Sequence, residues 1–467
     1  MIARLCGLSL LLLVLSDRVA GQDNDLALIP QGIDQLRSAA AETSGADEAN
    51  RRIYLENAVV ASALRGGLPV PVPPSSPDWE ERLFLDIRGA WRLDDQLSIT
   101  LGNRFNLRAE SDLPSPGHEN VVSEFREGYV SWRPVDRTYL DIGRINLKSG
   151  VALGFNPTDF FKTRAVIDPL SADPTVLRED RLGTAMALGQ HIWEGGAILV
   201  AVAPKLYNPT AIRDNANQQS LNPSLDRTNA DDRVMIKGNV TIADDFSPEF
   251  LVYREGNRTV FGTNVTESIG RSLVAYAEWA GGNRSSLIDE ALRYGRQTGS
   301  LPSGTANPLA VESRRFFQTQ LSAGASYATD AKITVNLEYH FDQDAFSPRD
   351  WSNWFRNGSA AGRSTGVPAE LWYIRSYALD RQEPISRNAL FLRADWVDAF
   401  IPRLELVGFI TIDLSDGSSL VQAEADYYLS NDWTIGGSII GNLGRKHSDF
   451  GSLSQAGSAL FKLVRYF

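Results

Sequence analysis

Few residues in this 467-residue chain have the types and spacing that reaction chemistry needs. None of its four histidines stands in a metal-ligand spacing. His340 shares a strand face with Asp342 and could act as a general base in a hydrolase, but it reads more simply as a polar wall residue. No catalytic residue, metal site or cofactor is expected. The informative charges come in rows. At period two, Arg88, Arg92, Arg104, Arg108 and Lys237 fall on the polar faces of early segments. Glu338, Asp342 and Glu424 fall on those of later ones, with Glu278, Asp395, Glu405 and Asp426. Opposed rows of unlike charge across a wet lumen would set a transverse field, with the arginines touching solute; alternatively the charges pair and only solvate the wall.

A second constellation is Asn156-Pro157-Thr158-Asp159-Phe160-Phe161. Asn before Pro is held extended, and Thr or Asp can cap a short helix. With Phe155, Val166, Ile167 and Leu170, this makes the connection 148–181 too apolar to lie in water. It is expected to fold inward, with Asn156, Asp159, Phe160 and Phe161 at a constriction or, equally, folding the connection onto the wall.

These residues need strands to position them. From Arg82 onward apolar and polar residues alternate, as Leu83, Leu85, Ile87 and Trp91 do against Asp86, Arg88 and Arg92. About seventeen such segments run from 82–93 to 456–467. Those within 182–206 and 249–266 are mixed on both faces. Short connections (94–96, 134–137, 194–196, 430–432) alternate with long ones (109–121, 148–181, 207–232, 281–314, 343–386). Trp132, Trp193, Tyr327, Trp396, Tyr428 and Trp433 crowd beside the short ones, as in an interfacial girdle. This asymmetry predicts an all-β fold: a transmembrane antiparallel β-barrel of about 18 strands over 82–467, with a short, partly helical N-terminal segment. Strand parity requires one more strand within 50–80. Ile53, Leu55, Val59 and Ala61 could supply it, although Gly45–Leu64 also reads as helix.

Residues 1–21 have a basic start, an apolar run over Leu5–Leu15 and a small-residue cleavage pattern, which predicts a signal peptide. The single Cys6 lies inside it, so the mature chain has no cysteine. Residues 22–81 read as a periplasmic, plug or linker segment with a stiff stretch at 68–77. A net charge of −11 disfavours nucleic acid as partner.

At the C-terminus Ala459, Phe461, Leu463 and Phe467 share one face and Ser458, Lys462 and Tyr466 the other. This ending resembles the C-terminal insertion signal of bacterial outer-membrane β-barrels, which implies outer-membrane lipid and the barrel-assembly machinery as partners through Phe467. Arg465 departs from that pattern, which favours an apolar residue there. The stretch from Gly143-Arg144 to Asn156-Pro157-Thr158-Asp159, continuing through Asp168-Pro169 and Arg178-Glu179-Asp180-Arg181, resembles one in a proteobacterial group of barrels that includes alginate-export-like proteins. Ser149 stands where those relatives often have Trp. The resemblance implies a barrel and a pore. The expected function is a porin-like outer-membrane channel for passive diffusion of small polar or anionic solutes, and not an enzyme. The alternative is a polysaccharide-export or glycan-binding barrel, whose sugar contacts would come from Trp351, Trp354, Trp372 and Tyr373.

Overall fold

The computed structural model describes residues 50–71, 77–110, 121–167, 171–212, 223–243, 246–303, 308–309, 315–360 and 366–467. The predicted signal peptide and the helical reading of 23–41 lie outside the described residues. Within them the chain forms β1 (Asn50–Leu64), β2 (Trp79–Arg92), β3 (Leu97–Glu110), β4 (Val121–Val135), β5 (Thr138–Ile145) and β6 (Thr184–Trp193). There follow β7 (Gly196–Ala203), β8 (Arg233–Val240), β9 (Glu249–Glu255), β10 (Arg258–Ile269), β11 (Leu273–Arg284) and β12 (Phe316–Ala328). The last six are β13 (Ile333–Asp342), β14 (Asn388–Trp396), β15 (Leu404–Asp413), β16 (Ser419–Tyr428), β17 (Trp433–Leu443) and β18 (Gln455–Tyr466). Every strand pairs antiparallel with its sequence neighbours, and β1 also pairs with β18, setting Tyr54 opposite Tyr466 and Ala58 opposite Lys462. That seam closes the barrel at 18 strands and leaves no free edge.

Parity requires a first strand before Arg82, and Asn50–Leu64 fills that place. The helical reading of the same residues fails. Its spaced aliphatics, Ile53 and Val60, lie on opposite faces of a strand whose Ala58 is fully buried and whose Val59 is exposed.

The outward face carries an exposed apolar band that includes Ile87, Phe105, Ile142, Val200, Ile236, Phe261, Leu337 and Ile439. Exposed Trp132, Trp193, Tyr327 and Trp433 ring the short-turn rim, and Trp396 packs on Phe400 there with ring centroids 4.5 Å apart. Tyr428 is the exception among the expected girdle: it points inward, and its hydroxyl donates to Glu405. Arg465 takes a place in the girdle. Its guanidinium lies 5.2 Å from the ring centre of Trp433 and 4.8 Å from that of Phe467, so a cation is accommodated among rim aromatics.

The inward face has two characters. Along β10–β18 and β1–β4 it is largely polar. Along β6–β9 it is mostly apolar: Met186, Leu188, Leu199, Ala201, Met235, Leu251 and Tyr253 form one buried cluster with Ile145, Leu147 and Phe161. Segments 182–206 and 249–266 look mixed in sequence because both of their faces carry apolar residues.

Among the described residues, five α-helices stand in the long connections: α1 (Pro174–Glu179), α2 (Leu225–Thr228), α3 (Leu287–Gln297), α4 (Pro348–Ala360) and α5 (Val367–Asp380). No helix among the described residues is long and apolar enough to cross a membrane. Helices α3, α4 and α5 share a core of Leu292, Trp351, Trp354, Leu371 and Ile374, joined by Val70 from the β1–β2 connection. They form a cap at the long-loop rim.

Candidate functional site: the lumen and its inner loop

The connection between β5 and β6 runs inside the barrel, and its sequence explains how it is tied at the neck. Gly143, with φ of +143°, lies so close to β4 that a Cβ would stand 2.2 Å from the Gly128 carbonyl oxygen. Arg144 Nε donates to the Gly183 carbonyl at 2.8 Å, and the Gly183 amide donates to the Arg126 carbonyl at 2.8 Å, so exit and return are clamped together. Arg181 completes the knot. Its Nη2 reaches the Leu147 carbonyl at 2.7 Å, and both Nη atoms bond Asp159. Burial alone would raise the Asp159 carboxyl, but Arg181 and Arg178 overcome it and hold it below the usual carboxylate range.

Beyond the neck, two wall carboxylates grip the loop backbone. Glu278 on β11 accepts from the amides of Val151 and Ala152, from Asn156 Nδ2 at 3.1 Å and from Thr158 Oγ1 at 3.0 Å. Glu338 on β13 accepts from the amides of Leu153 at 2.6 Å and Gly154 at 2.8 Å, from the Tyr276 hydroxyl at 2.7 Å, and lies 2.7 Å from His340 Nε2. Four consecutive amides thus meet two buried carboxylates. Small residues permit the approach: Gly150 has φ of +91°, and a Cβ on it would lie 2.5 Å from Glu278 Oε1.

The loop then turns to the apolar wall. Phe160 stacks on Tyr253 of β9 at 4.5 Å, and Phe161 meets the same ring edge-on at 5.9 Å. Further along, Ala172 donates to Gln422 of β16 at 2.9 Å, and Asp173 pairs with Arg393 of β14 at 3.1 Å. Asp180 closes the circuit on Arg104 of β3 and Arg126 of β4, at 2.9 and 2.7 Å. Reaching β9, β11, β13, β14, β16 and β3 in turn is possible only from within the lumen.

The predicted rows of charge face inward, but most are compensated close by. Arg104 is 4 % exposed, between Asp86 at 3.0 Å and Asp180. Arg108 pairs with Glu80 at 2.9 Å, Lys237 with Glu249 at 3.0 Å, and buried Asp342 accepts from Gln320 at 2.9 Å. Glu338 is spent on the loop. An open arginine ladder is therefore not what the wall presents, because Glu80 and Asp86 on β2 and Glu249 on β9 interleave with the cations. Their signal was present in the sequence, since strand register sets Asp86 opposite Arg104. Arg88, 47 % exposed beside Glu127, and exposed Arg92 keep access to solvent. So does Glu424, which shares Lys462 with Asp426 at 2.7 and 2.9 Å. Nothing in the strand pattern marks Arg126, Asp180 or Arg181 as holding the loop, and Glu278 reads there only as a wall charge, yet all four hold it.

Three other expectations are resolved by position. The four expected constriction residues all lie on the inner loop: Asn156 meets the wall at Glu278 and Phe160 and Phe161 meet it at Tyr253, while Asp159 turns onto Arg181 of the loop's own return leg. His340 is enclosed by Phe155, Phe391 and Glu338, leaving no room for a substrate beside it. Trp351 and Trp354 are buried in the cap, so they offer no face to a sugar. Among the described residues no cluster of His, Cys, Asp and Glu has the arrangement of a metal site.

No protein-family model matches this chain, and no curated protein matches its sequence. Among solved structures it is similar to OccAB1 of Acinetobacter baumannii, with 9 % identity and a TM-score of 0.49 over 90 % of this chain and 96 % of that one. It is also similar to OccK11 (OpdR) of Pseudomonas aeruginosa, with 10 % identity and a TM-score of 0.47 over 90 % and 96 %. A mutant porin of Rhodopseudomonas blastica gives 10 % identity and a TM-score of 0.39 over 90 % and 100 %. Likeness at this level assigns no solute and no activity. The barrel rests on its own hydrogen-bonded seam.

Proposed function

We propose that this chain is an outer-membrane channel for passive diffusion of small polar solutes, narrowed by residues 146–183. The observation that carries the reading is the pairing of an apolar outward band with an inward loop anchored on Glu278 and Glu338. A barrel of this strand number encloses more space than its own side chains fill. The loop packs its aromatics on the side of β6–β9 and is tied to β11, β13, β14, β16 and β3, while the polar side chains that keep solvent contact lie on β2, β16 and β18. There Arg88, Arg92, Glu424, Asp426 and Lys462 of both signs keep solvent contact, which suits polar solutes more broadly than anions alone. The likeness of the Gly143–Asp159 stretch to alginate-export-related barrels agrees with a folded pore loop. The predicted signal peptide and the Phe467 ending support export and assembly into a Gram-negative outer membrane.

Reconstitution into planar bilayers tests this. Stepwise conductance that falls when polyethylene glycols small enough to enter are added supports it; membranes that stay silent while the protein is demonstrably inserted sink it.

A further inference from the structure

Helix α1 belongs to the inner loop, and both of its ends are tied to the wall. Before it, the Ala172 amide donates to Gln422 Oε1 on β16 at 2.9 Å, and Gln422 Nε2 donates to Ser171 Oγ at 2.8 Å. Asp173 pairs there with Arg393 on β14. After it, Asp180 bonds Arg104 on β3 and Arg126 on β4. Between these anchorages the wall continues through β17, β18, β1 and β2. The helix is therefore a strut, a chord drawn across that arc of the wall. Arg178 turns back into the loop, donating to the carbonyls of Ser149 and Gly150 at 2.6 and 3.0 Å. Val176 and Glu179, three residues apart and so on one helix face, meet solvent instead: Val176 is 41 % exposed and the Glu179 side chain 56 %.

The wall beside the first anchorage is acidic. Gln422 Nε2 also donates to Glu424 at 3.3 Å, and Glu424 and Asp426 share the one ammonium of Lys462. Asp173 and Asp395 likewise share Arg393, and Glu405 accepts from the Tyr428 hydroxyl. Among the described residues, these five carboxylates have two cations between them. Elsewhere along the strut the charges balance. Arg104 and Arg126 face Asp86 and Asp180, Glu127 offsets Arg88, and Glu179 holds Lys148. Arg52, over the ring of Tyr54, and Arg92 stand toward the short-turn ends of β1 and β2.

We infer that the passage runs between helix α1 and the wall at β16–β18, and that it selects small cations over anions. Glu424 and Asp426 set the preference, and Val176 and Glu179 line the strut's side. Carboxylates in surplus beside a narrow wet passage concentrate cations there and repel anions. The inference rests on the channel reading and names the charge class that the channel passes.

Reversal potentials across planar bilayers in a potassium chloride gradient test it. The unaltered protein is expected to pass potassium over chloride by about threefold or more, and Glu424→Gln with Asp426→Asn to bring that ratio to about one or below. Val176→Trp should lower the conductance while keeping the preference. An unaltered channel that passes chloride as readily as potassium overturns the inference, and this measurement needs no variant to fold. A double variant with intact conductance and undiminished preference overturns the part given to Glu424 and Asp426. A Val176→Trp channel conducting like the parent overturns the part given to the strut. Membranes that stay silent would sink the channel and this inference together, whereas conduction without cation preference sinks this inference alone.

Discussion

Arg181 and Asp159 face each other through two hydrogen bonds of 2.8 and 3.2 Å, with side chains 1 % and 2 % exposed. They join the return leg of the inner loop to its turn. Removing one partner of a buried pair costs about 3–5 kcal/mol, because the other charge is stranded. Arg181→Ala is therefore expected to release the neck, read as faster amide exchange over 146–162. Exchange unchanged from the parent would show that the wall contacts alone hold the loop.

The grip of Glu278 and Glu338 leads to a second expectation. Hydrogen bonds to a charged acceptor contribute about 1.5–3 kcal/mol each. A glutamine at either position keeps the shape and loses the charge. Glu278→Gln with Glu338→Gln should raise single-channel conductance and its noise as the loop leaves the wall. A double variant conducting like the parent would mean that the loop does not set the width.

Gly150 lies close against the wall carboxylate of Glu278. Its positive φ costs a residue with Cβ about 1–2 kcal/mol, and the Cβ would also press on Glu278. Gly150→Ala should increase protease cleavage near 150, whereas Gly299→Ala, at a positive φ with open space around it, pays the strain without loosening the loop.

Asp449 gives the cap a pH dependence. Burial pushes its carboxyl up to about 6, with Asp413 and Asp416 adding to the rise and Arg375 and Ser386 opposing it. The folded cap therefore binds a proton that the unfolded chain does not. This stabilisation is complete below about pH 4, is lost as pH rises through about 6, and amounts to at most about 3 kcal/mol. Urea titrations followed by near-ultraviolet circular dichroism of Trp351, Trp354 and Trp372 should show a higher midpoint at pH 4.5 than at 7.5. Asp449→Asn should reduce that difference; an undiminished difference would assign it to other groups.

At the C-terminus, Arg465 between Trp433 and Phe467 makes a contact of about 0.5–2 kcal/mol. Arg465→Phe should assemble normally, since an aromatic suits the same rim. Deletion of Phe467 should lower the yield of heat-modifiable barrel on gels, and normal yield would refute its part in insertion.

Much of the barrel was legible because alternation survives wherever lipid lies on one side and polar lumen on the other, as at Leu337 between Asn336 and Glu338. It faded where that contrast faded. The inward Met186, Leu199 and Met235 are as apolar as their outward neighbours, because Phe160 and Phe161 come from far along the chain to cover them. The strand at 50–64 was obscured by its alanines, which suit a helix as well. The folding-in of the inner loop could be inferred from its apolar residues. Its anchors could not, since Glu278 and Glu338 read as two more wall charges until their partners proved to be backbone amides.

The inner loop also bears on how the seam joins. It bonds Gln422 on β16 and Arg104 on β3, strands that stand on either side of the junction between β18 and β1. Those two edges begin some four hundred residues apart, a separation that makes their encounter slow. In the closed barrel the loop ties both neighbourhoods together, an internal splint across the seam where Tyr54 meets Tyr466.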